Sequence, residues 1–158
     1  MRLALAAAAV LLLSSVLAAR RVDPAEERFK AADALMDKGD YAAAREELLT
    51  ARVDFKTGDA RFVRYHERNG ASWLREGKIK EARAAFTIAI RHAQRLAISD
   101  VSLARALTGM GLCLRREGKD QLALRFFHKA LSARPDEGTR MFLEDQIQEL
   151  KAAPPPSR

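Results

Sequence analysis

The tetrapeptide REGK occurs twice, as Arg75-Glu76-Gly77-Lys78 and as Arg116-Glu117-Gly118-Lys119. A repeated Gly-Lys pair is compatible with a fragment of a phosphate-binding loop, with the hinge of a repeated structural unit, or with coincidence. A phosphate loop wraps its ligand in backbone amides and needs several glycines ahead of a Gly-Lys-Ser/Thr. Neither copy has them, and the residues that follow are Ile79 and Asp120. The hinge reading makes a wider demand, because a repeated unit must repeat on both sides of its turn.

It does. Gly77 and Gly118 are 41 residues apart, and a third match, Lys38-Gly39-Asp40, lies 38 residues before Gly77. Seven residues upstream of each glycine stands a small residue (Ala32, Gly70, Gly111), and three further on a large apolar one (Leu35, Trp73, Leu114). Five residues downstream come Ala44, Ala82 and Ala123, then Leu48, Phe86 and Phe127, then Ala51, Ala89 and Ala130. Two antiparallel helices joined by a tight turn need glycine where the first helix ends in a left-handed conformation. Small residues let the helix axes approach, and the large ones fill the space beside them. One such pair cannot bury its apolar face alone and must stack on a neighbour.

These columns resemble the tetratricopeptide repeat. The third copy is the nearest to its pattern, with Leu107, Met110, Gly111, Leu114, Ala123, Phe127, Ala130 and Pro135. The second departs from it at His66, Asn69 and Gln94, and the first at Arg28, Ala31 and Lys56. The resemblance, covering about residues 24–137, implies an all-α fold: a right-handed superhelical array of about three antiparallel helix pairs, a TPR-like α-solenoid. The repeats are expected at about 24–58, 59–98 and 99–137, with spacings longer than the family's usual 34. Local signals place helices at about 24–38, 40–55, 60–76, 79–98, 100–117 and 119–134. Asp23-Pro24 suits a helix start, and Gly58-Asp59 and Ser99-Asp100 mark the joints where Ser or Asp caps the next helix. A seventh segment, Thr139–Lys151, carries Met141, Phe142, Ile147 and Leu150 and has the form of a capping helix at 138–152. The ending Pro154-Pro155-Pro156-Ser157-Arg158 cannot continue a helix, and residues 153–158 are expected to be a disordered tail.

Composition agrees with a folded helical domain. The 158 residues are 48% hydrophobic and 31% charged but only 6% aromatic, which favours helices over sheets. Residues 1–19 differ: a basic start at Arg2, the apolar run LALAAAAVLLL and a small-residue exit describe a secretory signal peptide. The alternative is an uncleaved membrane anchor. Export would place the mature protein in the periplasm or outside the cell. Cys113 is alone, so no internal disulfide is possible, and a buried thiol on a helix is expected. Residues 20–58 carry 8 basic against 9 acidic groups, whereas residues 59–158 carry 19 against 12. This imbalance suggests anionic partners, with nucleic acid disfavoured by an exported address.

No catalytic, metal or cofactor-binding set emerges. His66, His92 and His128 do not cluster by sequence, no pair has the i, i+4 spacing of a helical metal site, and no Ser or Cys sits in a nucleophile turn. The chain reads as a non-enzyme without a cofactor. In the resembled family the first helix of each repeat lines a concave face where partners bind. That phase gives Arg64, Arg68, Ala71 and Arg75 in the second repeat, and Arg105, Gly109, Leu112 and Arg116, beside Arg115, in the third. The first repeat gives Glu26, Lys30, Asp33 and Asp37 instead. The expectation is a groove running from acidic to basic that grips an acidic peptide or protein segment through Arg64, Arg68, Arg75, Arg105, Arg115 and Arg116. A solvated arginine-rich face is the plainer reading of the same stripe. Two other roles stand beside it: an accessory subunit of an envelope complex, and an electrostatic binder of anionic glycan or lipid.

Overall fold

The computed structural model describes residues 23–152, which form seven helices. They are α1 (Pro24–Asp37), α2 (Tyr41–Arg52), α3 (Arg61–Arg75), α4 (Ile79–Arg95), α5 (Val101–Arg116), α6 (Asp120–Ser132) and α7 (Glu137–Ala152). The signal-peptide reading of residues 1–19 and the tail reading of 153–158 lie outside the described residues. Each helix packs on the next. The odd-numbered helices also pack side by side, α1 on α3, α3 on α5 and α5 on α7, so they form one layer and α2, α4 and α6 the other. This is the expected array of three antiparallel pairs followed by one more helix.

REGK is the turn inside a pair. Gly39, Gly77 and Gly118 have φ of 82°, 83° and 71°, a left-handed conformation that costs glycine least. Gly77 N–H donates to the Leu74 carbonyl at 3.1 Å and Lys78 N–H to Trp73 at 2.9 Å. Gly118 and Lys119 do the same to Arg115 and Leu114, both at 2.9 Å, and Gly39 and Asp40 to Met36 and Leu35. This is the Schellman closure, in which the glycine and the residue after it satisfy orphan carbonyls of the helix end. The lysine of REGK therefore contributes its backbone N–H to the fold.

The columns are the core. Ala32, Ala44, Leu48, Ala82, Phe86, Ala89, Ala123, Phe127 and Ala130 are all buried. Phe86 fills the space left by two glycines on different helices: a Cβ on Gly70 would lie 2.7 Å from its ring and one on Gly109 2.2 Å. Phe127 stands in the same relation to Gly111, at 2.3 Å. Gly109 belonged to the groove stripe in the sequence reading; the structure gives it this packing role too.

Two apolar clusters result. One joins α1 and α2 to Tyr65 of α3, and the larger runs from Leu74 to Ile147 of α7. At the seam between the first and second repeats, charge adds to the apolar contacts of Tyr65 and Phe62. Arg45 of α2 lies 3.5 Å over the Trp73 ring and pairs with Glu76 at 2.8 Å.

Helix ends differ from expectation in two places. The second helix stops at Arg52 rather than 55, after which Phe55 leaves the helix to pack edge-on against Phe62. The fourth stops at Arg95 rather than 98, followed by Ala97 at φ 52°. Asp100 caps α5 by accepting the Leu103 N–H at 3.0 Å. Asp59 lies one residue before the cap position of α3 and accepts Arg61 N–H at 2.9 Å. On α7 the buried residues are Leu143 and Ile147, an i, i+4 pair, while Met141 and Phe142 are exposed. The helix docks through one narrow stripe.

Candidate partner-binding groove

The odd-numbered helices bound a cavity of about 540 Å³. Its floor is apolar: Ala71 and Leu74 from α3, Phe86 reaching through from α4, Gly109 and Leu112 from α5, and Phe142 from α7. Arg75, Arg105 and Arg116 line it with the buried Glu67 and Thr108 and the half-buried Asp136. A second hollow of about 400 Å³ continues toward α1, sharing Glu67, Ala71, Arg75 and Arg105 and adding Asp33, Asp37 and Arg68.

Of the six sequence-predicted arginines, Arg68, Arg75, Arg105 and Arg116 line these two hollows and Arg64 and Arg115 do not, and ion pairing cancels the charge gradient expected from them. The acidic stripe of the first repeat and the basic stripe of the second face each other across α1 and α3 and neutralise. Arg64 grips Glu26 at 2.7 Å, Arg68 pairs with Asp33 at 2.8 Å and Arg75 with Asp37 at 3.1 Å. Arg105 pairs with Asp136, which also caps α7 by accepting Thr139 N–H at 2.8 Å. Arg115 turns to α7, where it meets Gln146 and Glu149. Arg116 alone of the six makes no ion pair among the described residues; its Nη1 donates to the Leu74 carbonyl at 2.9 Å. Arg64 and Arg68, four apart on one helix face, repel each other, and carboxylates of α1, a neighbour that helix spacing cannot reveal, relieve that repulsion.

Asp33, Glu67, Arg68 and Arg105 meet where α1, α3 and α5 come together. Arg68 Nη2 donates to Asp33 Oδ2 at 3.0 Å. Its Nε and Asp33 Oδ1 stand 2.8 Å apart without hydrogen-bond alignment, so that contact is purely Coulombic. Glu67 is 4% exposed, and its carboxylate has only long contacts to Arg68 Nη1, at 3.3–3.4 Å. Burial pushes its carboxyl above the usual range, against the pull of Arg68 and Arg105. Glu67 adjoins Arg68 in the sequence, and tertiary packing makes it the most buried acid of the groove wall.

His66 and His92, far apart in sequence, come together between α3 and α4 with ring centroids 6.3 Å apart, alongside Phe62 and Tyr65. Burial, then the charges of His92 and Arg52, lower the pKa of His66 to about 4. An unfolded imidazole titrates near 6.5, so between about pH 6.5 and 4 the unfolded chain binds more protons. The stabilisation is fully present above about pH 6.5 and lost as pH falls toward 4. Glu67, with its raised pKa, has the opposite slope, so the His66 part shows as a difference between variants. His66→Leu is expected to remove about 1–2 kcal/mol of the loss between pH 7 and 4.5, a value discounted for partial exposure. Denaturant titration of both proteins at the two pH values measures it.

Cys113 is buried and its thiol is pushed up to about 11 by desolvation, which places it in the core and away from reactive chemistry. Among the described residues no group of three or more His, Cys, Asp and Glu side chains is placed to hold a metal ion.

Paired helices, glycine turns and a concave layer of first helices define a TPR-like helical-repeat fold. A crystal structure of a TPR-like protein from Chlorobium tepidum TLS matches it with a TM-score of 0.65 at 18% identity, over 82% of this chain and 95% of that one. That likeness is one of fold. No protein-family model matches the sequence, and no curated protein does.

Proposed function

We propose that this protein is a non-enzymatic interaction module whose concave groove receives a segment of a protein partner. The observation that carries the reading is the cavity between α3, α5 and α7: apolar at its floor, with one guanidinium beside it, Arg116, that forms no ion pair among the described residues. A groove of this kind takes a large apolar side chain over Leu74, Phe86 and Leu112 and a carboxylate at Arg116, whose remaining N–H groups suit planar acceptors. Arg64, Arg68, Arg75 and Arg105 act as a paired wall that shapes the groove, and Arg115 acts by holding α7. The acidic partner of the sequence reading thus narrows to a segment with one acidic residue beside an apolar anchor. An exported, envelope location is retained as part of the proposal, on the strength of residues 1–19.

Screening a random peptide library against the protein tests this. The bound set is expected to combine a bulky apolar residue with a nearby Asp or Glu. Arg116→Glu is expected to weaken those peptides about 10–100-fold, as loss of a charged contact at a desolvated site does. Leu112→Gln is expected to weaken them without changing the acidic preference. A bound set with no acidic preference, or one indifferent to both substitutions, defeats the groove assignment.

A second reading has its own observation. Met141 is 62% exposed and Phe142 41% exposed on α7, which favours an accessory subunit that buries this helix against a larger assembly. Met141→Lys lies outside the groove lining, so it separates the two: it breaks such an assembly and leaves peptide binding intact.

A further inference from the structure

Five of the six groove arginines are neutralised internally; the opposite layer leaves most of its exposed cations unpaired. On the outward sides of α4 and α6, and just beyond α6, Lys80, Arg91, Arg95, Arg125, Lys129 and Arg134 are exposed. None of them forms an ion pair among the described residues. The acids on these two helices are Glu81 and Asp120 alone. The excess of basic residues counted in the second half of the sequence therefore collects on this outer layer. Within it lie two exposed apolar side chains, Ile88 on α4 and Leu122 on α6, each 43% exposed. Ile88 falls in line with Arg91 and Arg95, and Leu122 with Arg125 and Lys129, at helical spacings of three and four.

We propose that the outer face of α4 and α6 is a docking surface for an anionic lipid bilayer. The six unpaired cations meet phosphate headgroups, and Ile88 and Leu122 enter the boundary between headgroups and acyl chains. Unpaired cations on a convex surface attract any polyanion, duplex nucleic acid included. The apolar pair decides between them: a phosphodiester backbone offers Ile88 and Leu122 nothing, whereas a membrane interface rewards apolar area set among basic residues. This surface attaches through side chains alone; among the described residues no helix is long and apolar enough to cross a membrane. This surface is separate from the groove, so a docked molecule keeps the groove open to a partner.

Co-sedimentation of the full chain with neutral phosphatidylcholine vesicles and with equimolar phosphatidylcholine–phosphatidylglycerol vesicles tests the proposal. The quantity read is the excess binding to the anionic vesicles, compared between variants that all carry residues 1–22 unchanged, so that Arg2, Arg20 and Arg21 contribute equally to each. The excess is expected at an ionic strength of about 0.1 M and absent at about 1 M, where the screening length has shrunk from about 10 to about 3 Å. The variant K80E/R91E/R125E/K129E is expected to lose at least about a hundredfold in affinity. A charge-matched control on other exposed cations, K38E/R52E/K56E/K151E, is expected to stay within about tenfold of the parent. I88N/L122N is expected to lower vesicle binding while leaving any binding to duplex DNA unchanged, and Arg116→Glu to alter neither. Circular dichroism confirms that each variant keeps its helices. Equal losses in the two fourfold variants, or vesicle binding indifferent to I88N/L122N and weaker than DNA binding, overturn the assignment.

Discussion

Phe86→Ala is expected to lower the unfolding free energy by about 3–5 kcal/mol, the cost of deleting a large buried ring. For a single chain of this size that is a large part of the whole margin. Phe86 is 1% exposed and touches two helices at once, lying against Gly70 of α3 and Gly109 of α5. Its loss therefore opens a void at the joint between the second and third repeats, where relaxation of one helix cannot close it. The complementary substitution gives the same information from the other side. Gly109→Ala puts a methyl group 2.2 Å from the Phe86 ring, and overpacking of this kind costs about 1–3 kcal/mol. Combining Gly109→Ala with Phe86→Leu is expected to cost less than the sum of the two, because the smaller side chain vacates the contested space. Denaturant unfolding of the two single variants and the double variant measures all three terms. A loss below about 1 kcal/mol for Phe86→Ala would show that the repeats are not joined through this ring.

Arg68→Ala is expected to cost about 3 kcal/mol, the low end of the range for removing one partner of a buried pair. The low end applies because the Asp33 side chain is 36% exposed and keeps some access to water, whereas Arg68 itself is 14% exposed. Without the guanidinium, Asp33 and the buried Glu67 are left as two like charges under the seam between repeats. Arg68→Glu, which adds a third, is expected to unfold the first repeat. Asp33→Asn tests the mechanism: in an Arg68→Ala background it should recover part of the loss, where a purely steric role for Arg68 predicts no recovery. The same reasoning removes Arg68 from the set of clean groove probes, since its reversal acts on stability before it acts on binding. Arg116, exposed and hydrogen-bonded only to a main-chain carbonyl, is the clean probe.

Much of the fold was legible because it rests on spacing. REGK and its degenerate partner at Gly39 mark three turns that need a left-handed residue, and three glycines supply it. Small and large residues at fixed offsets from those turns place the core-facing sides of the six paired helices, but not that of α7, which docks through Leu143 and Ile147. Helix ends were less legible where the chain leaves a pair. Phe55 could have continued α2, and only its packing against Phe62 shows why it does not.

The groove divided along the same line. Helical phase by itself determined that Arg64, Arg68 and Arg75 share one face of α3, and Arg105 and Arg116 one face of α5, since residues three and four apart cannot avoid sharing a face; that these faces line a groove was what the resemblance to the tetratricopeptide repeat implied. Their electrostatic meaning was beyond it. Glu26, Asp33 and Asp37 stand 38, 35 and 38 residues from the arginines they neutralise. Only the stacking of α1 on α3 brings such distant charges within 3 Å or so, and Coulomb energy depends on that separation and on burial, neither of which is a property of a sequence window. Tertiary structure likewise decided that Lys80, Arg91, Arg95, Arg125 and Lys129 stay exposed and unpaired on α4 and α6 among the described residues, and that the arginine opening each REGK has two fates: Arg75 is spent on Asp37, and Arg116 remains available.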